Sequence, residues 1–250
     1  DEPNALAYAD NPGVLGSDNY LGTLYGQVAV GESFVSRLTA GWHQNLYDWV
    51  EFWGTDNSRT ILYADNYRTT RRILDWQNTW EAATWATLVL GANAEWSHFD
   101  STTVAEKLSD RAYGFYLSGD VHPLKDLTLT AGLRYDDFNT AGDSTTGRLG
   151  ASYWFEASQT KLRATYGTGF KAPTFNDLYF PYSSNPDLKP EQSKSLNVGV
   201  AQYAQDWNWT FNVYETHIED LIALDSFWNP DNIEEARIRG AELTGAISLA

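Results

Sequence analysis

Neither cysteine nor methionine occurs anywhere in the 250 residues, and there are only 8 prolines. Without cysteine there is no disulfide framework and no thiolate metal site, which suits a chain that crosses an oxidising compartment before folding. Without a methionine start, Asp1 is expected to lie within a longer translated chain. No apolar run reaches the roughly 18 residues a membrane-spanning helix needs. Basic residues are also scarce: 17 Lys and Arg against 33 Asp and Glu give a formal net charge of -16. Such a chain has little with which to neutralise phosphates, so nucleic acid is not an expected partner. Acidic loops and a divalent cation suit that charge better. The histidines His43, His98, His122 and His217 are too scattered for zinc-ligand spacing. No Gly-x-Ser-x-Gly elbow, phosphate-binding Walker loop or paired catalytic carboxylate is present, so no enzyme activity is expected. Gly167-x-Gly169-x-x-Ala172 fits a dinucleotide fingerprint formally, but Pro173 and a Pro/Asn-rich stretch follow where a helix should start.

Aromatics, by contrast, are abundant: 11 Trp, 15 Tyr and 11 Phe make up 15% of the chain. They fit either the girdles of a membrane barrel or a soluble, aromatic-rich β module that binds carbohydrate. A mean hydropathy of -0.44 is compatible with both, because barrel strands alternate lipid-facing and lumen-facing residues. That alternation is plain. Leu127, Leu129, Ala131, Leu133 and Tyr135 oppose Thr128, Thr130, Gly132 and Arg134; Leu149, Ala151, Tyr153 and Phe155 oppose Arg148, Gly150, Ser152 and Trp154. Trp207, Trp209, Phe211 and Val213 repeat the pattern, as do Ala241, Leu243, Gly245, Ile247 and Leu249. The runs are about nine to eleven residues long, the length a tilted strand needs to cross a bilayer. About eleven strands are predicted, near 21–30, 34–44, 67–82, 84–98, 110–121, 126–138, 146–156, 159–168, 194–204, 206–225 and 237–249. Short connections alternate with long segments near 45–66, 99–109, 139–145, 169–193 and 226–236. This is the rhythm of tight turns on one side of a membrane and binding loops on the other.

Between Tyr166 and Ser193 the chain reads YGTGFKAPTFNDLYFPYSSNPDLKPEQS. Tyr166-Gly167-Thr168, Lys171-Ala172-Pro173, Leu178-Tyr179, Asn185-Pro186-x-Leu188-x-Pro190-Glu191 and Ser193-Lys194 resemble the TonB-dependent receptors of bacterial outer membranes, especially their cobalamin-transporter branch. Asp220-Leu221-Ile222 and the Asn232 to Leu243 stretch, with Ala236-Arg237, Gly240 and Glu242, are similar to the same family. The resemblance implies an all-β fold: a transmembrane antiparallel up-and-down β-barrel, of which this chain would form about half, since the family's barrels have roughly 22 strands around a plug. It divides the chain into an extracellular segment at residues 1–19 and an incomplete barrel segment at residues 20–250. The family's plug and its TonB box are not recognisable here. The implied function is uptake of a scarce nutrient, cobalamin or a ferric siderophore-like chelate, across the outer membrane of a Gram-negative bacterium. Loops would capture the ligand, and the TonB complex would energise passage through the parent protein's plug. The expected partners are thus outer-membrane lipid, a small nutrient chelate and the TonB complex. Lumen-facing Arg134, Arg148, Lys161, Arg163 and Glu242 would hold a plug or line a solvated pore. A porin-like barrel without energy coupling and the soluble β module remain open as alternatives.

The candidate site residues are all in loops. Trp49 and Trp53 lie in an aromatic, acidic stretch, and Tyr179, Phe180, Tyr182 and Asn185 lie in the long motif-bearing loop. Ring faces with nearby amides suit a bulky chelate, or would pack the loop onto the rim. Asp48, Asp56 and Asp65 are the candidate calcium ligands, with solvated loop acids as the plain alternative. No resident cofactor is expected beyond that possible calcium.

Overall fold

A computed structural model describes residues 14–53, 60–104, 107–180 and 183–248. Among these residues the chain is a single sheet of eleven antiparallel strands, each paired with its neighbours in sequence. The strands are β1 (Val14–Val30), β2 (Phe34–Trp53), β3 (Thr60–Ala83), β4 (Ala86–Ser101), β5 (Leu108–Leu124), β6 (Leu127–Phe138), β7 (Gly142–Phe155), β8 (Thr160–Lys171), β9 (Glu191–Tyr203), β10 (Trp207–Leu224) and β11 (Pro230–Ile247). One short helix, α1 (Phe175–Tyr179), interrupts the connection between β8 and β9. β1 and β11 each have one hydrogen-bonded neighbour, so the sheet is open.

The strand number agrees with the alternation, but most strands are longer than the alternation predicts. β3 has 24 residues and β2 has 20, about twice what a bilayer crossing requires. The segments expected to be long loops are therefore largely strand. Residues 45–53 and 60–66 are paired ladder, and Gly142–Phe155 takes in part of the expected 139–145 loop. Of the connections between consecutive strands, the one spanning 172–190 is the longest. Val14 to Asn19, expected to belong to an extracellular segment, are already in register with β2. The physical reason lies on the outer face: above the upper aromatic row it turns largely polar, with Asp48, Asn66, Arg68, His98 and Asp100, so apolar alternation stops while the hydrogen-bond ladder continues.

The register assigns every side chain to one of two faces, because directly opposed residues point the same way. Leu38, Trp76, Ala92, Leu117, Leu133, Leu149, Leu162, Val200, Phe211 and Leu243 share one face. It carries an apolar band flanked by exposed aromatics. Tyr20, Trp42, Trp96, Tyr113, Tyr135 and Tyr166 lie toward the long-connection side. Trp80, Trp85, Tyr153, Phe155 and Trp207 lie toward the short turns at 31–33, 84–85, 125–126, 156–159 and 204–206. Two aromatic rows around an apolar belt form the wall of a membrane barrel. The other face carries Asp75, Tyr116, Arg134, Arg148, Lys161, Arg163 and Glu242. The polar face is the concave one. In a flat sheet β3 and β8 would stand about 24 Å apart, yet Phe180 from the β8–β9 connection stacks on Tyr67 of β3.

The inner face is packed through glycines where two strands face each other. Gly91 lies opposite Tyr116, and Gly240 opposite Tyr214. In both pairs the tyrosine ring occupies the space a β-carbon would need. The glycine of the Gly240-x-Glu242 motif is thus required by the ring laid over it, an aromatic covering of backbone that also pins register.

Candidate functional site

The connection from Ala172 to Pro190 folds inward over the concave face near the rim. It is shaped locally by a capped turn: Thr174 accepts from the Asp177 amide at 3.2 Å, and the Asp177 carboxylate accepts from the Thr174 amide at 2.8 Å. This reciprocal box starts α1 and places Leu178 inward, where it is buried. The helix follows Pro173, where none was expected, but it has only five residues and its first amide is taken by Asp177. The dinucleotide reading of Gly167 to Ala172 therefore fails on chemistry as well as on length.

Beneath the loop lies an aromatic cluster. Tyr67 stacks against Phe99 at 5.9 Å and against Phe180 at 6.1 Å, and Phe99 stacks against Phe175 at 5.8 Å. Tyr67, Phe99, Leu178 and Leu188 are all buried, so a sheet otherwise short of buried apolar residues has a small core here. Each buried ring contributes about 1.5–3 kcal/mol from burial, with about 0.5–1.5 more per stacked pair. Asp65 sits beside this core at 3% exposure. Its carboxylate accepts from the Ser101 hydroxyl at 3.0 Å, the Thr102 amide at 3.1 Å and the Thr102 hydroxyl at 2.6 Å, and from the Thr103 hydroxyl.

The motif fragments that are far apart in sequence meet at the loop's second end. Glu191, buried in the ladder, accepts from the Lys171 ammonium at 2.8 Å and from the Ile222 amide at 3.1 Å. Asn232 accepts from the Lys189 amide at 2.8 Å and donates to the carbonyls of Lys189 at 3.0 Å and Asp220 at 2.7 Å. Ser183 donates to the Trp228 carbonyl. The Lys-Ala-Pro, Pro-Glu, Asp-Leu-Ile and Asn232 pieces form one latch that ties the long connection to the β10–β11 hairpin.

Below the loop, the inner wall holds a cavity of about 500 Å3 whose lining includes Asp75, Gln77, Tyr116, Arg134, Arg148 and Thr168. The Tyr116 hydroxyl donates to Asp75 at 3.2 Å; Arg134 donates to Asn93 at 2.8 Å and to both Asp136 oxygens at 2.6 and 2.5 Å. These groups are half-satisfied by one another and present both charge signs to the lumen. These side chains can hold and orient a polar group that faces the lumen.

The sequence-predicted residues distribute unevenly. Phe180 and Tyr179 are half-buried, with Phe180 in the aromatic core under the loop. The Asn185 side chain accepts from the Asp187 amide at 3.0 Å, so it shapes a turn. Trp49 lies on the concave face, directly opposite Asp65. The side chain of Trp53, and Tyr182 and Asp56 entirely, lie outside the described residues. Asp48 and Asp65 do not come together: Asp48 pairs in register with Asn66 and Asp65 with Trp49, so the two carboxylates point to opposite faces of the sheet. Period-two geometry forbids one ion from bridging them. Among the described residues no group of three or more His, Asp or Glu is arranged to hold a metal. Tyr67, Phe99, Glu191 and Asn232 were not singled out from sequence as site residues. Their signal was present for the last two in the motif that carried the resemblance, but their contacts depend on hairpins about 40 residues apart.

The sequence profile described as TonB dependent receptor-like, beta-barrel, matches residues 2–249. The chain belongs to that family. It is 34% identical over 205 residues to a vitamin B12 transporter, BtuB, of Photobacterium profundum, covering 77% of this chain and 33% of that protein. A second vitamin B12 transporter, from Vibrio vulnificus, is 34% identical over 197 residues, covering 74% of this chain and 31% of the relative. The chain thus spans about a third of the length of the curated relatives it matches. Among solved structures, a ferric enterobactin receptor of Pseudomonas aeruginosa superposes with a TM-score of 0.73 at 15% identity, over 95% of this chain and 41% of that one. The siderophore receptor PirA of the same species gives 0.67 at 17% identity, over 92% of this chain and 50% of that one. These two share the fold of the strands described above.

Proposed function

We propose that this chain forms part of the wall of an outer-membrane transporter that captures a scarce nutrient chelate, a corrinoid or a ferric siderophore-like complex, and passes it inward by TonB-driven rearrangement of a plug held inside the barrel. One observation carries this reading: the 172–190 connection is folded and latched over a polar concave wall, while the opposite face is a lipid-type belt. A wall of that design concentrates a bulky ligand at its rim and leaves the lumen polar for a removable domain. The identity with vitamin B12 transporters supports a corrinoid as the first ligand to test. The open edges of the sheet and the one-third coverage of those relatives support a larger closed barrel around the same lumen.

The test is equilibrium binding of cyanocobalamin and of ferric catecholate chelates to the full-length protein, with and without calcium. It is paired with uptake by cells before and after collapse of the proton gradient. The expected result is saturable binding of one class and uptake that stops with the gradient. Unselective permeation of small sugars into liposomes, with no saturable ligand, would overturn the transporter reading in favour of a porin.

A further inference from the structure

On the convex face, directly below the upper aromatic row, β1 to β4 enclose a groove of about 840 Å3. Its floor is made of small residues, Gly22 and Ala40, and its walls are Leu24, Leu74, Trp42 and Trp96. Four neighbouring strands place Trp42, Arg72, Trp96 and Arg111 in one lateral row at its upper end. Arg68 stands two rungs above on the same face. All three arginines are exposed. Arg72 and Arg111 have no ion-pair partner among the described residues, whereas Arg68 stands directly opposite Asp100, with Asp48 lining the same pocket; Lys107 also reaches Asp100 at 3.6 Å.

The other cations of this face at similar height behave differently. Arg237 and Arg239 both reach Glu215, at 3.3 and 2.9 Å, and Lys194 reaches Glu219 at 2.9 Å. In a chain with a formal charge of -16, two guanidiniums without an ion pair, Arg72 and Arg111, flanking Trp96 at the top of an apolar slot are an electrostatic exception. Charge complementarity calls for an anion above, and the slot calls for a hydrocarbon chain below. Arg72 and Arg111 are separated by two strand spacings, about 10 Å between backbones. Two long side chains can converge from that distance on one phosphate, and guanidinium geometry suits phosphate oxygens.

We propose that this groove binds one phosphorylated lipid of the outer leaflet, an acyl chain lying between Leu24 and Leu74 and the phosphate held by Arg72 and Arg111. The site rests on the membrane reading given under Proposed function only in requiring that the convex face meets lipid; it is independent of which nutrient is carried.

The test uses the full-length protein purified in mild detergent and titrated with lipid A, with enzymatically dephosphorylated lipid A, and with inorganic phosphate alone. Retained lipid is read by native mass spectrometry. One phosphorylated lipid per protein is expected, and the dephosphorylated lipid is expected to bind at least tenfold more weakly. Each Arg→Gln change, R72Q and R111Q, should weaken retention about fivefold, and the pair about twentyfold or more. A40F, which fills the slot, should weaken both lipids alike. K125Q, at a turn on the far side, should change nothing. Equal retention by wild type and R72Q/R111Q, equal binding of both lipids, or displacement by inorganic phosphate at equimolar concentration would overturn the site. R72Q/R111Q is a surface change and keeps the test decisive if A40F fails to fold. Fractionation separates the two readings: protein found in outer membranes but without retained lipid sinks the site alone, whereas absence from outer membranes sinks both.

Discussion

Asp65 shows how a single carboxylate can be held inside a strand ladder by neutral donors. It is almost fully buried and survives there because hydroxyls and amides of Ser101, Thr102 and Thr103 surround it. Replacing it with alanine leaves those donors unsatisfied next to the aromatic core, at a cost of about 2–3 kcal/mol. Amide exchange of residues 101–104 should accelerate correspondingly in D65A, and added calcium should not restore protection. Restoration by calcium would show that the carboxylate serves an ion after all. Asn232 makes a comparable case at the other end of the loop. Asn232→Leu removes one acceptor and two donor contacts and should free the 172–190 connection without unfolding the sheet. Limited proteolysis within that connection should speed up at least tenfold, while the gel mobility of the intact barrel stays unchanged.

At the level of strands, the two faces have different tolerances. Leu133 and Arg134 are neighbours on β6, one in the apolar belt and the other bonded to Asn93 and Asp136. Leu133→Arg is expected to destabilise the folded barrel by about 2–4 kcal/mol if the belt lies at mid-bilayer. Ser118→Arg, at the same height on the concave side, should cost under about 1 kcal/mol. Urea titration in lipid vesicles measures both, and equal losses would contradict the face assignment. That assignment was legible in the sequence: Leu129, Leu133, Tyr153 and Leu243 could be placed on the lipid side by alternation alone, and the register agrees. The strand ends were not legible, because Asp48, Asn66 and Arg68 are polar residues on the convex face, where alternation predicts apolar ones. Whether Asp48 and Asp65 share a face was not legible for a related reason. A sequence gives spacing along the chain, whereas which of Asp48 and Asp65 faces inward is fixed by the pairing of β2 with β3. The α1 turn is only half legible: Thr174-x-x-Asp177 approximates a capping box, but the adjacent Pro173 and the Pro/Asn-rich residues that follow have the composition of an irregular loop.

For the molecule as a whole, the open sheet dictates behaviour. The free sides of β1 and β11 present rows of backbone donors and acceptors, and in hydrocarbon each unsatisfied group is costly. The 250-residue chain produced alone should therefore associate through these edges in detergent, and size-exclusion chromatography with light scattering should find dimers or larger species. A stable monomer would mean that the edges find another cover. Length has a further consequence. A strand of 24 residues such as β3 extends roughly 80 Å, or about 60 Å in height at a barrel tilt near 40°, against an apolar belt of about 25 Å. With its lower end at a tight turn, nearly all of the surplus rises on one side as a parapet some tens of ångströms tall. In the outer-membrane setting proposed above, large particles arriving from outside would meet that parapet before they reach the lumen, so sequence drift driven by such encounters should concentrate on its crest and spare the latch.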